Sequence, residues 1–142
     1  EIRKLLGDKN DNDDAAIIHA MGKSEYELEN FNDAIQLFQN SIKLQKEIYG
    51  DKHIEVARTL VDKGRVFERT ADYERALICY EEAIDSDCYE INSWEVGLVF
   101  MRMGIIHSTV RNSEDAWDCL MEATRIFELI DKSERRTLIL TQ

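Results

Sequence analysis

The chain has 142 residues, of which 44% are hydrophobic and 33% charged, so it can form one domain with a substantial core and is not disordered in composition. Its net charge of −11 argues against non-specific binding to nucleic acids and to membrane surfaces, which are themselves polyanionic. Proline is absent, the three cysteines form no CxxC pair and no stretch approaches about 20 apolar residues, which argues against a β-sandwich, a disulfide framework and a membrane span. We therefore expect a cytoplasmic protein with reduced thiols.

The first predicted element is a connector that follows the end of a helix. The stretch LLGDKNDNDD, from Leu5 to Asp14, combines a glycine with a run of polar and acidic residues. A similar stretch, YGDKHIEV from Tyr49 to Val56, lies further along, where a glycine again ends a long helical pattern. We therefore expect residues 1–14 to hold the end of a preceding repeat and its connector.

Three segments after this connector repeat one helical pattern. FNDAIQLFQNSI, YERALICYEEAI and SEDAWDCLMEAT each place an alanine three residues after the leading residue, a large residue four later and a small residue three later still. These spacings keep one face of a helix in register. Each segment starts nine residues after a glycine that lies in a helical pattern of its own, namely Gly22, Gly64 and Gly104. Each unit is thus predicted to be helix, turn, helix, with the glycine at a close helix crossing.

The turns inside these units contain polar side chains that can cap a helix. We expect Asn32, Asp72 and Ser113 to accept hydrogen bonds from free N–H groups at the start of each second helix. Near the end of the chain, RTL at 136–138 echoes RTL at 58–60, which predicts the start of a further first helix. The predicted organisation is one array in which residues 1–14 precede repeats at 15–56, 57–96 and 97–133 and a truncated repeat at 134–142.

The glycine, the leading aromatic residue and the alanine–aromatic–alanine run of the second helix resemble the tetratricopeptide repeat. Glycine spacings of 42 residues (22 to 64) and 40 residues (64 to 104), together with the connector GDKHIEVA, are similar to the long repeats of kinesin light chains. This resemblance covers nearly the whole chain. It implies an all-α fold, a right-handed α-solenoid of antiparallel helix pairs with a concave groove lined by the first helices.

The resemblance also implies which residues face the groove. They come from the first helices of the three repeats and are His19, Lys23, Arg58, Asp62, Arg65, Arg69, Leu98, Met101, Arg102 and Ile105. Basic side chains outnumber acidic ones on this face although the chain as a whole is acidic, so arginines can pair with carboxylates there. We therefore expect a protein-interaction scaffold that binds an acidic partner peptide in a mildly basic groove, with an apolar wall for a hydrophobic anchor.

Two other interpretations of the array stay open. In one, the arginines pair with acidic neighbours, and the chain is a structural spacer that contacts partners through its acidic convex face or its repeat ends, where uncapped helices also allow self-association. In the other, the groove grips a C-terminal carboxylate with the clamp of a related family variant. Lys23 and Arg102 suit such a clamp, whereas Asp62 would repel the carboxylate and Leu98 offers no charge.

Candidate catalytic and metal-binding residues show no spacing typical of a site. His19, His53 and His107 lie far apart in the sequence and show no HExxH or CxxC spacing. Cys79 and Cys119 occupy the same position in consecutive second helices, which is typical of packing residues. We therefore expect no enzyme activity, no metal and no cofactor.

The two tryptophans have different predicted roles. Trp117 follows Ala116 as Ile35 follows Ala34, so it falls in a repeated packing position between helices. Trp94 lies outside the repeat pattern, just before the third first helix. We interpret Trp94 as a staple that fixes a linker.

Overall fold

The helical patterns of the sequence correspond to helices in the computed structural model, which describes residues 11–85 and 93–141. These ranges contain six helices and no strand: α1 Asp11–Glu27, α2 Phe31–Tyr49, α3 Ile54–Arg69, α4 Tyr73–Asp85, α5 Trp94–Thr109 and α6 Ser113–Leu140. They divide into two compact units. Unit 1 contains α1 to α4, and unit 2 contains α5 and α6. Within the described ranges, no helix is both long enough and apolar enough to cross a membrane.

In unit 1 the helices pack in chain order, α1 on α2, α2 on α3 and α3 on α4, and α1 also touches α3. The repeated face of the second helices forms the core, because Ala34, Phe38, Ala76 and Tyr80 are all fully or almost fully buried. The small residue of the repeat also links the paired helices, since Ser41 Oγ donates a hydrogen bond to the Ala15 carbonyl at 3.0 Å. The alanine–aromatic–small pattern is therefore the packing surface between paired helices.

The repeated glycines mark close crossings within each helix pair. A Cβ added at Gly22 would lie 2.7 Å from the Phe38 ring, and one added at Gly64 would lie 2.7 Å from the Tyr80 ring. Both distances are shorter than the contacts that a Cβ makes in proteins. In unit 2, a Cβ added at Gly104 would lie 2.6 Å from the Leu120 side chain of α6. The prediction of a crossing too close for a side chain is confirmed at all three repeated glycines.

The turns inside the pairs share a backbone shape that the sequence did not indicate. Glu29, Ala71 and Arg111 have φ of 62°, 60° and 64°, which is the left-handed region. The following residue donates its N–H to a carbonyl five residues earlier in each turn, as in Asp72 N to Phe67 O at 2.9 Å. This is the Schellman arrangement, which satisfies the last carbonyls of a helix and usually has glycine at the left-handed position. Three non-glycine residues adopt it here.

The capping predictions are confirmed in one turn and wrong in two. Asp72 caps α4, since its Oδ1 accepts from Arg75 N at 3.4 Å. Asn32 lies inside α2, which begins at Phe31, and the residue before that helix makes no side-chain cap bond. Ser113 is the first residue of α6, whose cap is Asn112. In these two turns the second helix begins earlier than the polar residues Asn32 and Ser113 suggest.

The helix ends differ from the predicted repeat boundaries in two respects. α1 already includes residues 11–14 of the predicted connector, whereas residues 1–10 lie outside the described part of the chain. α6 continues without a break through residues 133 and 134, where the sequence predicts a repeat boundary. Gly50 does end α2 as predicted, with a φ of 89° that favours glycine.

In unit 2 the two helices pack through Ala116, Ala123 and Ile126 of α6, which are buried. Trp94 begins α5, and its ring lies 4.7 Å from the ring of Phe127. The prediction for Trp117 is wrong, because its side chain is 67% exposed. The equivalent residue of the first repeat, Ile35, packs on a cluster that includes Val66 from the next helix, while the described part of unit 2 has no further helix to cover Trp117.

Candidate peptide-binding surface

Six of the ten predicted groove residues belong to unit 1, and they all lie on α1 and α3, the first helices of two repeats. We call the surface formed by His19, Lys23, Arg58, Asp62, Arg65 and Arg69 the α1–α3 face. α1 and α3 are in contact, so these residues share one surface of unit 1.

Asp62 lies at the centre of this face and has two basic neighbours. His19 Nε2 lies 2.6 Å from Asp62 Oδ2, and both side chains are less than one fifth exposed. Arg65 Nη1 lies 3.8 Å from the other carboxylate oxygen, Oδ1. The His19–Asp62 contact joins α1 to α3. His19 and Arg65 thus pair with a carboxylate that would otherwise repel an acidic ligand.

Two arginines of α3 lie over aromatic rings from the first helix pair. The guanidinium of Arg65 is 5.3 Å from the Tyr26 ring, and that of Arg69 is 5.7 Å from Tyr26 and 5.5 Å from Phe31. Arg69 Nη2 also donates to Glu29 Oε1 at 3.1 Å. The hydrogen bond to Tyr26 first, and then the carboxylate of Glu29, raise the pKa of Arg69 above its ordinary value, so this side chain stays cationic. Stacking holds both guanidinium groups against the protein.

The remaining two basic residues of the face are in different situations. Arg58 Nη1 donates to Glu55 Oε1 at 3.2 Å, one turn away on the same helix. Lys23 is exposed on α1, and no ion pair or hydrogen bond joins it to another residue in the part of the chain that the structure describes. Lys23 is therefore a cation whose charge is available to a ligand.

Two cavities open beside Lys23. One, of about 170 Å³, lies between α1 and α3 and is lined by Tyr26, Glu27, Asp62 and Arg65; we call it the Arg65 cavity. The other, of about 150 Å³, runs along α1 from Asn12 to Lys23 and is closed by side chains from α2 and the first turn of α3. We call it the Gln45 cavity. Lys23 lines both, so it stands between two recesses of the same surface.

The Gln45 cavity includes residues that the sequence did not single out. Gln45 and Tyr49 come from the last turns of α2, a second helix, whereas the family resemblance places only first helices at the groove. The sequence does contain a signal for Gln45, because it is a polar residue at a buried position of α2. It lies one turn after Ser41 on the buried face of that helix.

The four predicted groove residues of unit 2 lie at helical spacing on α5. Leu98, Met101 and Arg102 are half-buried, and Ile105 is 51% exposed. They form one stripe of that helix, mostly apolar, as the spacing predicts.

Residues considered for other chemistry have structural contacts. His53 caps α3, since its Nδ1 accepts from Glu55 N at 3.1 Å, and its ring stacks on Tyr49 at 4.1 Å. Cys79 is buried, and burial raises the pKa of its thiol. Cys119 is half-buried, and Cys88 lies outside the described residues. Among residues 11–85 and 93–141, no group of three or more His, Cys, Asp or Glu side chains is placed to hold a metal ion.

Comparison with known families agrees with this architecture of paired helices, close glycine crossings and an alanine–aromatic core. The family described as tetratricopeptide repeat matches residues 13–88, more than half of the chain. The chain belongs to the tetratricopeptide repeat family. Tetratricopeptide repeats generally mediate protein–protein interaction, so this chain carries a protein-interaction fold.

Solved structures support the same fold for the tetratricopeptide repeat chain. The crystal structure of BtubC (BKLC) from P. vanneervenii is similar with a TM-score of 0.75 and 17% identity, over 82% of this chain and 48% of that one. The crystal structure of MamA is similar with a TM-score of 0.68 and 17% identity, over 83% of this chain and 61% of that one. The chain thus spans about half to three fifths of these structures. No curated protein matches the sequence. The predicted all-α solenoid fold is confirmed.

Proposed function

We propose that this tetratricopeptide repeat chain binds an acidic partner peptide on the α1–α3 face, with Lys23 as the primary partner of a peptide carboxylate. The observation that carries this proposal is the position of Lys23, an exposed cation between two cavities that has no partner within the described residues. A carboxylate at Lys23 forms an ion pair without displacing an existing one.

Arg65 and Arg69 extend the basic surface from Lys23 across α3. The ion pair between Arg69 and Glu29 is at the surface, with side chains 49% and 70% exposed. An exposed pair contributes only about 0–1 kcal/mol, so a peptide carboxylate can replace Glu29 as the partner of Arg69 at small cost. The stacked aromatic rings hold the guanidinium groups in place during such an exchange.

The proposal also covers the repeat subtype, the class of partner and the location of the protein. The glycine spacings of 42 and 40 residues support membership of the long-repeat subtype similar to kinesin light chains. The net charge of −11 supports a partner that is a protein and not a nucleic acid or a membrane surface. Three cysteines without a CxxC pair indicate reduced thiols, which supports a cytoplasmic location.

Selection from a random peptide library displayed on phage tests the proposal with the 142-residue chain as bait. Wild type is expected to enrich sequences with an excess of Asp and Glu. Lys23→Glu replaces an attraction by a repulsion, so synthetic copies of the enriched peptides should bind it about tenfold more weakly or worse, a loss of about 1.4 kcal/mol or more. Affinity is measured by fluorescence polarisation of labelled peptides.

Lys43→Glu is the matched control. It makes the same change of charge at an exposed residue of α2 that lines neither cavity beside Lys23. Binding should change little in this variant. Equal losses in the two variants would show that only net charge matters, and enrichment of peptides without acidic residues would contradict the proposal.

A structural spacer is the second candidate function. It is favoured by the ion pairs that Arg58, Arg65 and Arg69 already make with residues of the chain itself, and by the exposed apolar end of α6 at Leu138 and Ile139. A spacer contacts its partners through the acidic convex face or the repeat ends, including those of a second copy. In that case the Lys23→Glu variant would retain all partner binding.

A further inference from the structure

The Gln45 cavity contains a buried polar group without a partner. Gln45 is only 2% exposed, and its side-chain oxygen Oε1 is buried with no hydrogen-bond partner within residues 11–85 and 93–141. Gln45 is part of the cavity wall. Buried carbonyl oxygens in folded proteins nearly always accept a hydrogen bond, so an unpaired one on a residue that lines a cavity indicates the chemistry of what enters there.

The wall offers acceptors to an incoming group. The amide oxygen of Gln45 can only accept hydrogen bonds, and the carboxylate of Glu55, which also lines the cavity, accepts as well. Glu55 Oε1 already accepts from Arg58 at 3.2 Å, which holds the carboxylate in place. A group that satisfies these two acceptors must donate N–H bonds, and a carboxylate cannot.

The cavity has room for a side chain. Its volume of about 150 Å³ is roughly ten times the space that one water molecule needs, about 10–15 Å³. Three alanines of the α1 wall, Ala15, Ala16 and Ala20, have small side chains that leave this space open, and Asn12, His19 and Lys23 complete that wall. The site is thus larger than a solvent niche and of the size of one peptide side chain.

We propose that the Gln45 cavity is a specificity subsite for a peptide side chain that donates N–H bonds, either a carboxamide (Asn or Gln) or an ammonium group (Lys). This inference rests on the proposed function, because it assigns a second determinant to the same peptide. Lys23 selects a carboxylate at one end of α1, and Gln45 selects a donor at the other.

The helix geometry gives the spacing of the two determinants. Ser41 bonds to Ala15, and Gln45 lies one turn further along α2, beside the turn of α1 that contains Asn12. From Asn12 to Lys23 the axis of α1 rises about 16 Å, at about 1.5 Å per residue. An extended peptide covers that distance with about five residues, at about 3.3 Å per residue. The donor and the acid are therefore expected about five residues apart.

The variant that tests the subsite is Gln45→Met, which keeps the size of the side chain and removes the acceptor. Peptides enriched by wild type from a random library should carry Asn, Gln or Lys about five residues from Asp or Glu. Gln45→Met should lose the donor preference and keep the acidic one, whereas Lys23→Glu should do the opposite. Synthetic peptides with Gln, Lys or Leu at the donor position then identify the preferred group, with Leu about tenfold weaker on wild type and equal to the others on Gln45→Met.

The thermal midpoint of the free protein is the second readout. An oxygen without an internal partner adds nothing to the fold, so Gln45→Met should melt at the same temperature as wild type or higher. A marked fall in this midpoint would show that Gln45 is a structural residue and would overturn the inference. Acidic enrichment without a donor preference would overturn the subsite alone, and no enrichment of any peptide would overturn both the subsite and the proposed function.

Discussion

Individual residues in unit 1 adopt conformations that only their surroundings explain. Ala71 is the clearest case, since it has a φ of 60° without being glycine. The left-handed region costs a non-glycine residue about 1–2 kcal/mol because its Cβ approaches the following carbonyl oxygen. Asp72 N donates to Phe67 O at 2.9 Å in this turn, so the closing hydrogen bonds hold the strained residue in place. The strain is a local cost that the paired helices offset.

The first prediction at this scale is that Ala71→Gly stabilises unit 1 by about 0.5–1 kcal/mol. Glycine removes the Cβ strain and loses part of that gain through the greater entropy of its unfolded chain. Urea denaturation followed by far-UV circular dichroism measures the change. Thr70→Gly is the control, since its φ of −88° needs no glycine, and it should destabilise. A lower midpoint for Ala71→Gly would show that the turn is not strained.

The pairing of Asp62 is likewise decided by neighbours that are distant in sequence. The sequence suggests that this carboxylate would repel an acidic ligand, whereas His19, 43 residues earlier, lies at 2.6 Å from it. Nothing in the local sequence around Asp62 indicates His19, because the contact exists only once α1 and α3 have packed. The charge of the α1–α3 face could therefore not be assessed by counting residues.

At the scale of the helices, the close crossings decide how each pair packs. Gly64 in α3 faces the ring of Tyr80 in α4, which is fully buried and cannot move aside easily. The same arrangement recurs between Gly22 of α1 and Phe38 of α2. A glycine in the middle of a helix is unfavourable by about 1 kcal/mol relative to alanine, so these positions are kept by packing and not by helix propensity.

We predict that Gly64→Ala destabilises the protein by about 1–2 kcal/mol, because overpacking against Tyr80 exceeds the gain in helix propensity. In a Tyr80→Ala background the same change should become neutral or stabilising by up to about 1 kcal/mol. A double-mutant cycle of unfolding free energies measures this coupling. A cycle with Gly22→Ala and Phe38→Ala repeats the test if Tyr80→Ala unfolds the chain. Additive effects would mean that the glycine is not placed by the aromatic ring.

At the scale of the whole molecule, the net charge acts on an approaching ligand over a longer distance than the basic residues of the α1–α3 face do. The chain carries a net charge of −11, while the proposed ligand is also acidic. Repulsion between like charges slows their encounter at low ionic strength, and salt screens it over a Debye length of about 8 Å at about 0.15 M. The ion pair at Lys23 is local and is weakened by salt as well.

These two effects predict that salt raises both rate constants, with opposite consequences for the affinity. Raising the salt concentration from about 0.02 M to about 0.15 M should increase the association rate of an acidic peptide and also increase its dissociation rate. Stopped-flow fluorescence with a labelled peptide from the library selection measures both. A peptide with Gln in place of Glu should show an association rate that barely changes with salt. An association rate that falls with salt for the acidic peptide would show that a local basic field, and not the net charge, governs the encounter.

The sequence by itself determined the repeating helix pair, because the spacing of Ala34, Phe38 and Ser41 on one face is a local property that recurs in α4 and α6. The family and the all-α fold follow from that pattern, and so does the identity of the first helices as the carriers of Lys23 and Arg65. Only the tertiary structure decided which charges are already paired, that Lys23 lies between two cavities, and that Gln45 is buried beside one of them. Those facts depend on distances of a few ångströms between side chains on different helices, which a periodic pattern along one helix does not contain.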